Sequence, residues 1–396
     1  MIEESLIHVF KSDVFNGYSI LVNSNGYYPV QISNIQFYPG IISRFYINMI
    51  PDQNKEVLQS VSEIKIVHAA EDAQQDSIRE ITLTLGIDGP RESLTYFYAE
   101  KFAEEVNALS DGKMKIDVYT DAALGNDRQM FNSIIQDRSP EFIIQTTAPQ
   151  VTFIPKLSVF DIPMVFNDAD KLRDTIDNES FYNKIENVYS EGGYKLLGMA
   201  DEQFRQMTSN LEIRDIEQFG GIKIRTIQNP NHIRFWQLLG SIVIPLPVGE
   251  IYSSLVHGFI DAQENPYGNI AAFEFYEVQD YVIDTCHLPH FMPLITSNEI
   301  FNSLTEREQE IITEAARRAT LYTREEADRR LEQVKAMLVE NGMTIVELPE
   351  NTRQEIIRIA AKPVYESIKT LVNDDELLNE YLKLSSSAQL FGNQQG

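Results

Sequence analysis

The chain has 396 residues, more than one compact core usually holds, so two or more domains are expected. Its hydrophobic share of 43% and charged share of 23% are those of an ordinary globular protein. With 33 basic and 59 acidic residues the net charge is −26, which argues against nucleic acid and anionic lipid surfaces as partners but leaves room for one local basic site.

Cys286 is the only cysteine, so no intramolecular disulfide forms; that excludes no compartment. No stretch approaches the roughly 18–20 apolar residues of a membrane span, and no direct membrane insertion is expected. The opening MIEESLIHVFKSDVF carries acids where a signal peptide carries Lys or Arg, so as written the chain shows no export signal.

Residues 1–75 read as a β-rich accessory segment and linker. GYSILVN (17–23) and YYPVQISNIQFYPGIISRFYIN (27–48) flank the Asn25-Gly26 hairpin signal, and VSEIKIV (61–67) reads as a further strand. The polar AAEDAQQDS (69–77) reads as a linker. From residue 80 the pattern becomes strand–helix alternation, which implies a largely parallel sheet. EITLTLGI (80–87) is a strand, and the helix after it carries Leu94, Tyr98, Phe102, Val106 and Leu109 on one face up to Asp111-Gly112. KMKIDVYT (113–120) is a strand, a helix follows behind an Asn126 or Asp127 cap, and EFIIQTT (141–147) is another strand. SVFDIPMVF (158–166) is an apolar run broken by Pro163; helical segments over 168–190 precede the strand KLLGMA (195–200).

Residues 220–266 repeat the grammar: a strand bearing Arg225, a helix with Ile233, Trp236 and Leu239, the strand Ile242–Ile244, and a helix through Ile251, Leu255 and Phe259. They close on the polar turn Gln263-Glu264-Asn265-Pro266. A strand over 291–301 comes next. The longest helical pattern, 305–341, runs from a Thr305-x-x-Glu308 capping box to Asn341-Gly342 and is longer than one small lobe. MTIVEL (343–348), a helix near 350–373 and a disordered tail over 385–396 complete the chain.

Phosphate-binding loops and the G-x-S-x-G elbow are absent, so neither nucleotide binding nor ordinary α/β-hydrolase chemistry is expected, and no cofactor. Cys286, His287 and His290 form a C-H-x-x-H cluster without a second Cys or an H-E-x-x-H helix. It reads as a turn with ordinary polar side chains, and no metal is expected. Asp127 and Glu264 are lone carboxylates with no partner visible in sequence, which gives no basis for a general acid or base. Arg225 reads either as a solvated strand end or structural ion pair, or as a guanidinium fork for a carboxylate; ligands in such sheets lie beyond the carboxyl ends of strands, where Arg225 stands. Arg205 follows the strand 195–200 and can reach the same crevice. Two arginines at one anion site repel each other until a carboxylate arrives, and Asn265 adds an amide.

Seven ordered motifs then carry a resemblance: LGNDRQMF (124–131), SVFDIPMVF (158–166), FRQMTSN (204–210), GGIKIRT (220–226), PVGEIYSSL (247–255), GFIDAQENP (258–266) and FYEVQDYV (275–282). Over residues 80–375 the chain resembles the DctP-type solute-binding proteins of TRAP transporters. The resemblance implies an α/β, two-lobe periplasmic-binding-protein-like fold with a hinge, crossing strands and a long lobe-spanning helix, here with the small N-terminal β-rich extension. Lobe I takes 80–202 plus 291–330, and lobe II 203–290 plus 331–380. It implies a non-enzymatic, extracytoplasmic receptor that delivers a small carboxylate to TRAP membrane permease subunits. The alternatives are a ligand-sensing module or an enzyme acting on a carboxylate on the same scaffold. The ligand contacts it carries over are Arg225, Arg205 and Asn265, with Asp88 and Asp127 from the first lobe. Three departures stand out: Val248-Gly249 where many members have Phe-Ser, Ala262 for the usual Gly, and about 75 extra residues ahead of the first strand.

Overall fold

The computed structural model describes residues 77–391 and, ahead of them, the backbone of five strands: β1 (Leu6–Lys11), β2 (Tyr18–Asn23), β3 (Val30–Ile35), β4 (Arg44–Phe45) and β5 (Ile66–Val67). β1, β2 and β3 make an antiparallel sheet, with β2 and β3 flanking the Asn25-Gly26 signal; β4 and β5 pair separately. The 24–29 turn and the linker through residue 76 lie outside the described residues. By its contacts the chain divides into two compact units, the larger comprising Ile78–Leu304 and Glu308–Gly396.

In the larger unit β6 (Ile81–Gly86) lies parallel to β7 (Met114–Tyr119) and β8 (Phe142–Ile144). Between them run α1 (Leu94–Leu109) and α2 (Asp127–Gln136). α1 buries Leu94, Tyr98, Phe102 and Val106, a four-residue spacing that puts all of them on one face. Asp111 and Gly112, both at positive φ, turn the chain out of it. α2 starts where Asn126 and Gln129 cap each other reciprocally. The run 158–166 lies partly in 3₁₀ turns over Pro155–Asp161, followed by α3 (Ala169–Ile176) and α4 (Glu179–Glu191).

β9 (Tyr194–Ser209) is a 16-residue strand, far longer than the 195–200 expected. Its two halves have different partners. The first pairs antiparallel with β14 (Pro289–Ser297), from Tyr194 opposite Ser297 to Phe204 opposite Pro289. The second pairs with β12 (Ala262–Pro266) and β13 (Tyr281–Asp284). Each extension is stabilised by a neighbour that sequence patterning does not reveal. β12 is itself a correction, since Gln263–Pro266 reads as a polar turn. All five of its residues are buried, and their polar groups are satisfied inside: Gln263 donates to Thr208 (3.0 Å) and Asn265 to Gln263 (2.6 Å).

β10 (Lys223–Thr226) lies parallel between β11 (Ile242–Pro245) and β12. α5 (Pro230–Leu238), α6 (Ile251–Val256) and α7 (Tyr267–Ala272) cover this half. The sheet thus runs β11-β10-β12-β9-β14-β8-β6-β7, with β13 linking β9 to β15 (Thr344–Glu347). Two α/β lobes share it, joined through β9 and β14. After α8 (Asn298–Ser303), α9 (Glu306–Glu340) spans 35 residues, about 50 Å at 1.5 Å each. Ile311, Ile312, Ala315 and Ala319 pack in one core with Leu85, Phe102 and Leu294; Leu338 packs in another with Ile251, Ile270 and Val282. The helix therefore serves both lobes, and it stops in a Schellman turn at Gly342.

α10 (Glu350–Ile356), a π turn and α11 (Lys362–Val372) follow, and α11 packs on both Pro155–Asp161 and α5. α12 (Asp375–Leu384) lies on α4. The tail expected to be disordered from Ser385 is ordered as far as Phe391: α13 (Ala388–Phe391) packs Phe391 at a tilt against Tyr365, ring centres 5.0 Å apart. An apolar partner overrides the polar composition; residues 392–396 lie outside the described ones.

At the crossing, fully buried Asp201 takes two hydrogen bonds from Arg173 (2.9 and 3.1 Å), and Arg173 extends to Asp328 on α9. Arg324 of α9 donates to the Met199 carbonyl at 2.7 Å. Removing one member of such a buried pair strands the other charge. Asp201→Ala is expected to lower unfolding stability by roughly 3 kcal/mol, read as a drop in the urea midpoint at unchanged m-value.

Candidate functional site

Parallel strands from both lobes point their carboxyl ends at one crevice. β6 delivers Asp88, β8 delivers Gln145 and Thr146, and β10 delivers Arg225. Asp127 stands in the first turn of α2; Arg205 and Asn265 come from β9 and β12. All five residues expected from the sequence line a single cavity of about 30 Å³. That is room for about two waters, so the crevice is nearly shut. Val248 lines it, a Cβ added at Gly249 would meet no atom of the described residues within 4 Å, and the aromatic ring on its wall is Phe273.

Arg225 is 1% exposed, which removes the solvated strand-end reading. Its Nε and Nη2 both donate to the Leu246 carbonyl, at 2.8 and 2.5 Å. Among the described residues no carboxylate forms an ion pair with it, which removes the structural ion pair as well. Burial lowers its pKa to about 10, with Glu264 opposing and Arg205 adding to the drop; at neutral pH it stays charged. Its uncommitted N–H groups are left to the cavity.

Arg205 is different, because the protein supplies its counter-ion. Nε pairs with Glu264, Nη2 donates to the Glu264 carbonyl (2.6 Å) and to Asn265 Oδ1 (3.1 Å), and Nη1 donates to His290 Nδ1 (2.7 Å). A guanidinium cannot accept, so His290 carries its proton on Nε2. Burial and then Arg205 push the His290 pKa well below its ordinary value, which keeps the ring neutral. The repulsion expected between two bare arginines is thus already offset by Glu264 before any ligand arrives.

Glu264 is fully buried and holds several groups together. Thr226 donates to Oε1 at 2.7 Å, and His287 Nε2 lies 3.2 Å from Oε2 while Thr285 Oγ1 meets its Nδ1 at 2.8 Å. Burial opposes the Glu264 charge, but Arg205, His232 and His287 outweigh it and hold the carboxylate well below its usual range. His232 reaches Asp161 through Nε2 at 3.3 Å; burial works against its charged form, yet Asp161 and Glu264 raise its pKa. Asn229 and Asn231 donate to Asp161 Oδ2 at 2.7 and 2.9 Å. The C-H-x-x-H histidines are therefore parts of a charged core, not an ordinary turn, and no metal-binding group occurs among the described residues.

Across the cavity the Asp88 and Asp127 carboxyls face each other. Burial raises both pKa values; Asp88 pushes Asp127 well above the carboxylate range, while Arg225 pulls both down. Asp127 Oδ1 is buried without a partner. Two like charges sharing one buried site oppose each other, so ionising both carboxyls together is disfavoured.

Chemically, the site offers one unpaired guanidinium at one end and an acidic pair at the other, with amides between. Sequence reading did not place Glu264, His232, His287, His290, Asp161 or Phe273 around it. Two lobes that close on such a crevice define a binding protein for a small polar solute. Residues 85–370 match the family model for bacterial extracellular solute-binding proteins, family 7 (DctP), and the chain belongs to that family.

It is 31% identical to an uncharacterized protein of Haemophilus influenzae over 68% of this chain and 82% of that one. It is 26% identical to the sialic acid-binding periplasmic protein SiaP of Vibrio cholerae over 60% of this chain and 74% of that one. The crystal structure of the sugar acid binding protein DctPAm from Advenella mimigardefordensis, in complex with galactonate, is 30% identical, covers 79% of this chain and 100% of its own, and superposes with a TM-score of 0.75. The resemblance to TRAP solute receptors carried by the seven motifs therefore holds, as does the two-lobe fold.

The raised Asp127 pKa has a testable sign. An acid whose folded pKa lies above its unfolded value costs stability once the pH exceeds the unfolded value, and costs none below it. Asp127→Asn is expected to raise the melting temperature of the ligand-free protein at pH 7, with the gain vanishing below about pH 4. Melting curves across pH 3–8 for both proteins check this.

Proposed function

We propose that this chain is an extracytoplasmic receptor for a small monocarboxylic acid bearing hydroxyl groups, which it hands to the permease subunits of a TRAP transporter. The observation that carries this reading is the buried, unpaired Arg225 facing the Asp88–Asp127 pair across one cavity. Arg225 takes the ligand carboxylate through its uncommitted N–H groups, and Asn265 and Arg205 complete the polar shell. Asp88 and Asp127 accept hydrogen bonds from hydroxyls at the far end. A second carboxylate there meets like charge and is disfavoured. Galactonate, the ligand of DctPAm, has this pattern of one carboxylate and several hydroxyls.

Lobe I takes 80–202 with 291–330, and lobe II takes 203–290 with 331–380; α11, packed on both Pro155–Asp161 and α5, touches both. Closure about β9 and β14 desolvates the ion pair and brings the acidic pair to the hydroxyls. No bond is made or broken, so the site needs no nucleophile.

Calorimetry tests the ligand class. Galactonate is expected to bind at least tenfold more tightly than succinate, and equal or reversed affinities would sink the hydroxy-acid assignment. Arg225→Ala is expected to weaken binding by about 2–4 kcal/mol, the usual cost of removing one half of a desolvated charge pair. Unchanged affinity in that variant would remove Arg225 from the site. Placement is checked by fractionating the native host, where recovery outside the cytoplasm is expected.

A further inference from the structure

A second cavity lies on the other face of β9. Successive side chains of a strand point to opposite faces. Arg205 turns into the carboxylate cavity, whereas Phe204 and Gln206 turn into one of about 850 Å³. α7, the second half of α9 and the residues just before α3 supply most of its remaining wall. Its volume falls within the roughly 300–1,000 Å³ of small-molecule sites.

Two of its lining residues, Glu202 and Tyr267, each hold a buried polar atom with no partner: Glu202 Oε2 and the Tyr267 hydroxyl. Glu202 stays partly exposed through its other atoms. It reaches the cavity over Gly268, where an added Cβ would lie 1.8 Å from Glu202 Oε1, so the backbone there makes room for the carboxyl. Burial pushes the Glu202 carboxyl up to about 8; Arg330 and Arg205 pull it down only from a distance, and Asp201 raises it further.

No base on the wall pairs with it. Arg330 stands over the Phe97 ring at 4.4 Å and Lys335 over the Tyr267 ring at 5.0 Å. The other charged groups of the wall are Glu92, Asp168, Glu274 and Asp284, all acidic. A buried oxygen without a partner is costly; an ammonium arriving there donates to it and favours loss of the Glu202 proton to solvent, so the site suits a cationic donor. Leu331, Val334 and Met337 offer an apolar bed for the rest of such a molecule.

We propose that this cavity is a second ligand site, which takes a small organic cation with an apolar body and holds its ammonium group on Glu202, with the Tyr267 hydroxyl as neighbouring partner. An ammonium has three donors and no acceptor, and it matches the orphaned Glu202 oxygen once that carboxyl ionises, where a ligand carboxylate or a phosphate would be repelled. The site shares none of the lining residues of the carboxylate clamp.

The test titrates the full chain with phenethylamine and, as a neutral counterpart of the same shape, with 2-phenylethanol. Saturable one-to-one binding of the amine is expected, with the alcohol at least tenfold weaker. Glu202→Gln should weaken the amine at least tenfold and leave the melting cooperativity and the affinity for a hydroxy acid unchanged. Tyr267→Phe should weaken the amine several-fold. Absence of saturable amine binding, equal binding of the alcohol, or an unchanged amine affinity in Glu202→Gln would each overturn the proposal.

Discussion

Among the described residues, Arg225 is a buried charge without a carboxylate of its own. Everything around it keeps it so. Leu246 fixes its direction through a carbonyl, which orients a guanidinium without neutralising it. The acid that might have paired with it, Glu264, is committed to Arg205, Thr226 and His287 instead. A desolvated guanidinium in this position is costly for the empty protein and favourable once an anion arrives. That difference is the free energy a receptor can use to drive closure.

The Glu264 network also determines the fold at the site. β12 contains Gln, Glu and Asn in succession, a composition that belongs in loops, yet it lies buried between β10 and β9. It can do so because each polar group finds a partner across the sheet, chiefly on β9. The same strand β9 that supplies Arg205 to the clamp supplies Asp201 to the brace with α3 and α9. Recognition and the joint between lobes are thus a few residues apart on one strand.

Much of this was legible in the sequence. Periodic apolar faces place α1, α2 and α5, alternation places β6 and β7, and the Gly342 stop ends α9 close to where it does. The five candidate contacts do converge. What sequence could not supply is pairing at a distance. The second half of β9 looks polar until β12 and β13 are set beside it, and Gln263–Pro266 looks like a turn until its partners are known. Glu264 was visible only as a lone carboxylate. Read as part of a strand opposite β9, with Pro266 facing Arg205, it would have fallen diagonally across from that arginine, within side-chain reach. The histidines at 287 and 290 have no local signal for their role, because it depends on charges from β9 and β12.

The two ends of the clamp sit on different lobes. The arginines rise from β10 and the second half of β9, while Asp88, Asp127 and Gln145 rise from the half of the sheet built on β6 and β8. On the proposed reading, a carboxylate meets its anchor while the crevice is open, and the hydroxyls are read only as it shuts. Association rates for different acids should then be nearly alike, set by diffusion to one exposed guanidinium. Discrimination falls to residence time: an acid whose far end fails to satisfy the carboxyl pair leaves a lobe that never stays closed.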